Sequence, residues 1–246
     1  MKKILISIAL VLGNIFTGLC DNHLNIVPAP NKVVKGEGKW VVKNGLTIVS
    51  TDVKDFSANY LQDKLEDVFD FPVVVSSQQK GDGCITFATD KNIPSEGYKL
   101  EVTEKGITIT SSDKSGQYYG MQTLLQLFPA EIYSEDDLRL KEYPIDVLTI
   151  EDAPRFPYRG FMLDVSRTFF DLDYLRNYIN WMSSHKLNRL HLHLTDDNGW
   201  RIEIKKYPEL TRKGAWRGQN ELLPPTYLSG AERYGGYYTQ KDMTEL

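Results

Sequence analysis

An apolar run from Phe161 to Val165 is interrupted by one carboxylate, Asp164, and is followed at once by Arg167. A guanidinium fixed at a strand end can offer several donors to neighbouring hydroxyls; the same spacing also fits an ion pair that only holds the rim together. Asp164 itself must be paired, because an isolated charge within an apolar strand is strongly disfavoured, and Arg159 and Arg167 are the candidate partners. Further on, Thr195-Asp196-Asp197-Asn198-Gly199 sets two carboxylates side by side. Two carboxylates flanking a scissile bond are the usual acid/base equipment of glycoside hydrolysis. Adjacent residues on an extended chain point opposite ways, however, so Asp196 and Asp197 are not expected to reach one substrate together. His191 and His193 would share one strand face, as two imidazoles do where some metal sites begin. The other two histidines, His23 and His185, fall in a tail and at a helix end. Internally hydrogen-bonded imidazoles are therefore the preferred reading, and no metal is expected.

These groups need a frame. Phe161 to Val165 reads as a buried strand and Asp171 as a helix N-cap. Leu175, Tyr178, Ile179 and Met182 then fall at helical spacing, forming one apolar stripe over about four turns. Ser183, Ser184 and Asn188 end the helix, and Arg189 to Leu194 alternates Leu190, Leu192 and Leu194 with the two histidines as a second strand. Strands joined by such a helix lie parallel with a right-handed crossover, and parallel sheets of this kind gather function at strand C-termini. Arg167 and Asp196-Asp197 are thus expected on the same rim.

RGFMLDVSR, then HKLNRLHLHLTDDNGWRIEIKKYPELT, then GAWR together resemble the first third of the catalytic barrel of glycoside hydrolase family 20, the bacterial-type beta-N-acetylhexosaminidases. The resemblance runs from about Ala153 to the C-terminus. It implies the first βα units of a (β/α)8 TIM barrel. It also implies exo-hydrolysis of a terminal beta-linked N-acetylhexosamine by a retaining, substrate-assisted route, in which the substrate's own 2-acetamido oxygen attacks the anomeric carbon. In that family the arginine ending the first motif binds hydroxyls of the non-reducing sugar, which is Arg167 here. Asp196 matches a carboxylate that supports the general acid, and Asp197 is left to brace the loop. The family's catalytic Asp-Glu pair follows a His-x-Gly-Gly sequence that these 246 residues do not contain, so no catalytic residue is assigned. N-acetylhexosamine-containing glycans are the implied partners, with no cofactor.

The preceding segment is of another kind. Trp40–Val42, Leu46–Val49, Val73–Val75, Ile85–Ala88, Tyr98–Val102 and Ile107–Thr110 read as short strands, with Glu104-Lys105-Gly106 as a hairpin turn. Two amphipathic helices interrupt them, one with Phe56, Tyr60, Leu61, Leu65 and Val68, the other with Tyr118, Met121, Leu124, Leu125 and Phe128. A mostly antiparallel sheet with helices on one face is expected. SDKSGQYYGMQTLLQLFP resembles part of the N-terminal α+β domain that precedes the barrel in the same family. The domains are placed at 22–150 and 153–246, and prolines mark a linker over about 140–158.

Lys2, Lys3 and the apolar stretch Ile4 to Leu12 mark residues 1–20 as an export signal, leading to the periplasm or the exterior. Cys20 sits where a lipoprotein cysteine would, although Leu19 before it is bulkier than such sites want; a soluble product cut near Gly18 to Asp21 is the competing reading. Cys84 reads as a buried thiol, with no disulfide framework or zinc spacing. A hydrophobic content of 41% allows a substantial core, while a net charge of −4 offers no footprint for nucleic acid. Serine-hydrolase, dinucleotide and Walker signatures are absent.

A TIM barrel needs about 250 residues, so the sequence implies a barrel begun but not closed. It would expose strand edges and apolar helix faces and show no turnover alone. A noncatalytic carbohydrate-binding or remnant protein of the same fold is the alternative.

Overall fold

The computed structural model describes residues 24–78, 82–133, 139–225 and 232–246; the expected export signal and Cys20 lie outside them. The chain divides after Ala153 into two compact units.

The first unit is built from β1 (Lys32–Lys43), β2 (Leu46–Val49), α1 (Phe56–Glu66), β3 (Val73–Ser76), β4 (Cys84–Thr89), β5 (Tyr98–Thr103), β6 (Gly106–Ser111), α2 (Lys114–Leu125) and β7 (Glu142–Asp152). The strands form one seven-stranded sheet in the order β1-β7-β5-β6-β4-β2-β3. Period-two patterning buries one face: Tyr98, Leu100 and Val102 of β5 and Ile107 and Ile109 of β6 sit in the core with Leu61, Leu65, Met121 and Leu124 of the helices. Both helices pack on the sheet and on each other. Asp55 joins their starts. It caps α1 by accepting from the Ala58 N–H (3.1 Å), accepts from Gln117 Nε2 of α2 (2.6 Å), and pairs with Lys114.

Two expectations need correction. The sheet is mixed rather than mostly antiparallel: β1–β7, β7–β5 and β5–β6 run antiparallel, whereas β6–β4, β4–β2 and β2–β3 run parallel. The α1 crossover returns β3 parallel to β2, and the β5–β6 hairpin folds back to lay β6 beside β4. The linker expected over 140–158 is largely a strand, since β7 occupies Glu142–Asp152 despite Pro144. Pro144 stands opposite Val41 of β1, outside the Leu148–Asp152 stretch that also pairs with β5. There β7 has a single neighbour, so a residue without an N–H is tolerated as at an edge.

The second unit contains β8 (Gly160–Asp164), α3 (Leu172–Ser184), β9 (Arg189–His193), the hairpin β10 (Thr195–Asp196) and β11 (Gly199–Trp200), α4 (Glu209–Arg212), the pair β12 (Trp216–Arg217) and β13 (Tyr234–Gly235), and α5 (Gln240–Glu245). Strands β8 and β9 are parallel, with Asp164 opposite His193. Asp171 caps α3 by accepting from the Tyr174 N–H at 2.8 Å. The helix ends in a 6→1 bond from the Leu187 N–H to Met182 O, with Lys186 in the left-handed conformation that glycine usually takes. Thr239 and Asp242 form a capping box that opens α5. The apolar core is small: Val165, Leu175 and Tyr238, flanked by Phe169, Leu192, Met243 and others. Strand β8 departs from its expected burial. Phe161 and Met162 point to opposite faces of β8 and are 58% and 50% exposed, since the two-stranded β8–β9 sheet is narrow and largely uncovered on both faces at this position among the described residues.

A close approach fixes α2. A Cβ at Gly116 would lie 2.1 Å from the Gly97 carbonyl oxygen, so no side chain fits there without moving the helix. Gly116→Ala should therefore destabilise the chain by about 1–3 kcal/mol, despite the better helix propensity of alanine. Urea unfolding followed by far-UV circular dichroism checks this, with Ser115→Ala as the exposed control.

Candidate functional site at the ends of two parallel strands

Strand β8 delivers Asp164 at its last position, and the chain turns through Val165, Ser166 and Arg167. Strand β9 delivers His193, and the β10–β11 hairpin turns through Asp197-Asn198, leaving Asp196 opposite Gly199. The parallel register therefore brings Asp164, Arg167, His193 and Asp196 together.

Arg167 is clasped by two carboxylates. Its Nη1 pairs with Asp164 Oδ2, and its Nη2 donates to Asp196 Oδ2 at 2.7 Å. The other oxygen of Asp164 accepts from the backbone N–H groups of Ser166 (3.0 Å) and Arg167 (2.9 Å). Asp196 is shared: Oδ2 also meets His193 Nε2 at 2.9 Å, and Oδ1 accepts from the Asp197 N–H at 2.7 Å. The Arg167 side chain nonetheless remains 55% exposed. Two of its five N–H donors are committed to carboxylates, leaving the others for hydroxyls of a ligand.

The electrostatics follow from these partners. Partial burial pushes Asp164 up, but the backbone N–H and guanidinium of Arg167 outweigh it and hold the carboxyl below the ordinary value. The Asp197 N–H, then His193 and the Arg167 charge, hold Asp196 low as well. In return Asp164 first, then Asp196, raise the Arg167 guanidinium. The cluster stays doubly anionic and singly cationic across the neutral range, apart from the imidazole.

Arg167, not Arg159, is the partner of Asp164; Arg159 instead donates to the carbonyls of Lys186 and Phe156, both at 2.8 Å. Asp196 and Asp197 do not act as a pair, and Asp197 enters through its backbone amide. His193 turns to Asp196, while His191 stays exposed outside the cluster. Of the aromatic residues, Tyr238 is buried with its hydroxyl on Phe170 O (2.6 Å), Trp200 donates Nε1 to Ile202 O (2.7 Å), and the Trp216 ring lies 3.6 Å from the Arg233 guanidinium carbon.

Two residues of this region were missed at the level of sequence. Arg201 and Arg217 are 0% and 1% exposed, and both aim their guanidiniums at backbone carbonyls beneath the cluster. Neither gave a local signal, because an arginine in a polar stretch reads as a surface charge.

The sequence matches two family models. Residues 23–153 match glycosyl hydrolase family 20, domain 2, and residues 156–246 match glycosyl hydrolase family 20, catalytic domain. The chain belongs to glycosyl hydrolase family 20. It is 37% identical over 232 residues to a beta-hexosaminidase of Porphyromonas gingivalis, covering 92% of this chain and 28% of that protein. A beta-hexosaminidase of Vibrio furnissii is 35% identical, covering 91% and 35%. Among solved structures, the family 20 exo beta-N-acetylglucosaminidase of Vibrio harveyi, in complex with N-acetylglucosamine, superposes with a TM-score of 0.77 at 33% identity. That match covers 90% of this chain and 33% of the other. The chain thus spans about a third of the length of these relatives. It comprises the family's N-terminal α+β domain and part of its catalytic domain, which in this family is a TIM barrel.

Both aspartates have folded-state pKa values below the unfolded carboxylate value. Their contribution to stability is complete above that value and is lost as pH falls through the depressed ones. Asp164→Asn and Asp196→Asn should accordingly flatten the acid limb of stability below about pH 4, measured as thermal midpoint against pH.

Proposed function

We propose that the chain carries the sugar-gripping wall of a beta-N-acetylhexosaminidase that removes a terminal beta-linked N-acetylhexosamine from a glycan. The observation that carries this reading is the exposed Arg167 guanidinium, clasped between Asp164 and Asp196 at the ends of adjacent parallel strands. A planar cation braced on one side by two carboxylates is pre-oriented, so binding a hydroxyl pair costs little side-chain entropy. Family membership, the beta-hexosaminidase relatives and the N-acetylglucosamine complex of the Vibrio harveyi neighbour support the substrate class.

In the full-length protein the substrate's 2-acetamido oxygen would attack the anomeric carbon, with the family's Asp-Glu pair orienting that group and serving as acid/base. The residues present here bind and orient. Arg167 donates to ring hydroxyls on the non-reducing sugar. Asp196, itself held by His193 and the Asp197 N–H, keeps the guanidinium in place and supplies negative charge beside the general acid.

Side-chain arginine NMR of the 246-residue chain tests the binding half. N-acetylglucosamine should shift the Arg167 signals, and Arg167→Lys should weaken sugar binding, followed through the backbone amide signals of the same turn, roughly 10- to 100-fold, the worth of a hydrogen bond to a charged group. An Arg167 signal blind to the sugar would defeat this reading.

Export is part of the same proposal, since polymeric glycans lie outside the cell. The basic start and apolar Ile4–Leu12 stretch support it, and Cys20 is the acceptor if the protein is lipid-anchored. Labelling cells with an alkyne fatty acid should mark the wild-type protein and not Cys20→Ser; equal labelling of both would remove Cys20 from the proposal.

A further inference from the structure

The turn that carries Arg167 leaves the β8 ladder, so the carbonyls of Val165, Ser166 and Arg167 must find donors elsewhere. Two buried arginines supply them. Arg201 donates through Nε to Val165 O (3.0 Å) and Ser166 O (3.2 Å), and through Nη2 to Ser166 O (2.8 Å). Its Nη1 reaches across to Ala215 O (2.5 Å) and Gly236 O (3.1 Å). Arg217 takes the third carbonyl, with Nη2 on Arg167 O at 2.5 Å and Nη1 on Asn198 O at 3.3 Å. Its guanidinium lies over the Tyr234 ring, 4.9 Å from the centroid. Together the two arginines fasten three consecutive carbonyls of the Arg167 turn to the Asp197-Asn198 turn and to the β12–β13 pair.

The surroundings are cut to fit. A Cβ at Gly199 would lie 2.4 Å from the Arg201 guanidinium, so the hairpin that carries Asp196 must have glycine there. The Gly199 carbonyl also accepts from Ser166 Oγ at 2.7 Å. Arg217 meanwhile keeps its buried Nε without a hydrogen-bond partner among the described residues. It is placed to reach Arg167 O and Asn198 O rather than to satisfy itself.

We propose that Arg217, with Arg201 behind it, is a positioning residue of the site: it holds the Arg167 backbone so that the guanidinium falls between Asp164 and Asp196. It touches neither ligand nor reacting atoms and acts only through Arg167. The proposal deepens the sugar-binding reading and rests on it for its functional meaning.

The test needs no ligand. Carboxyl-carbon NMR titration of the 246-residue chain follows Asp164, held low by the Arg167 N–H and guanidinium, and Asp196, held low by the Asp197 N–H, His193 and the Arg167 charge, alongside Asp242. The Asp242 carboxyl is held low by the Thr239 N–H and hydroxyl of its own capping box, so it reports the fold of the same unit. In Arg217→Met, Asp164 and Asp196 should rise toward the ordinary carboxylate value of 3.8 while Asp242 stays low. Arg217→Lys keeps a cation beside Tyr234 and one donor, and should fall between Met and wild type. Unchanged Asp164 and Asp196 values in both variants would overturn the proposal. So would Asp242 rising with them in both, which would assign Arg217 to general stability. Because no sugar is used, failure of N-acetylglucosamine to perturb Arg167 would defeat the ligand reading alone and leave this result standing.

Discussion

The second unit depends on one requirement, that buried backbone carbonyls at a strand end be hydrogen-bonded. A β-strand satisfies its carbonyls through the ladder, but a strand that must present a side chain at its tip has to turn away and lose those partners. Water cannot reach the floor of the turn, where Arg201 is fully buried. Burial, and then the neighbouring Arg217 charge, push its guanidinium below the ordinary arginine value, yet five donors in a rigid fork remain the densest way to satisfy several carbonyls from one side chain. Lysine offers three donors from a point, and an apolar residue offers none.

That arrangement explains how so small an apolar core keeps a defined shape. Val165, Leu175 and Tyr238 are the fully enclosed apolar residues of the unit's cluster, whereas the sheet and helices of the first unit enclose a far larger one. Hydrophobic burial scales with area, so the first unit draws most of its stability from packing. The second relies more on directional bonds: guanidinium to carbonyl, the Ser166 hydroxyl to Gly199 O, the Tyr238 hydroxyl to Phe170 O. Directional bonds fix position to tenths of an ångström, which a hydroxyl-reading site needs.

Legibility in the sequence follows the same division. Elements governed by local periodicity were readable: the α3 stripe, its Asp171 cap, the alternating strands and the Glu104-Lys105 hairpin. The meeting of Arg167 with Asp164 and Asp196 was readable too, because parallel pairing puts the ends of consecutive strands on one rim. Non-local pairing was not. The parallel half of the sheet depends on which strands become neighbours, and β7 was hidden by Pro144, which is harmless only because one flank of the strand is unpaired there. Lys186, taking a glycine's conformation at the end of α3, gave no local signal. The roles of Arg201 and Arg217 were hidden for a further reason: polar patterning marks an arginine as exposed, and only the fold shows carbonyls waiting beneath the turn.

The order of construction around Arg167 also bears on what the cluster can tolerate. The outer layer is partly exposed and made of ion pairs, which individually stabilise little at a solvated surface; its members hold Arg167 in direction more than in place. The inner layer is buried, and removing one partner there leaves buried carbonyls unpaired, which costs far more than the bond itself contributes. Variation should therefore be tolerated at Asp197 or His191 and resisted at Arg201, Gly199 and Ser166, none of which faces a ligand. A site that reads hydroxyls through one guanidinium keeps its geometry beneath the surface, in the groups that decide where that guanidinium begins.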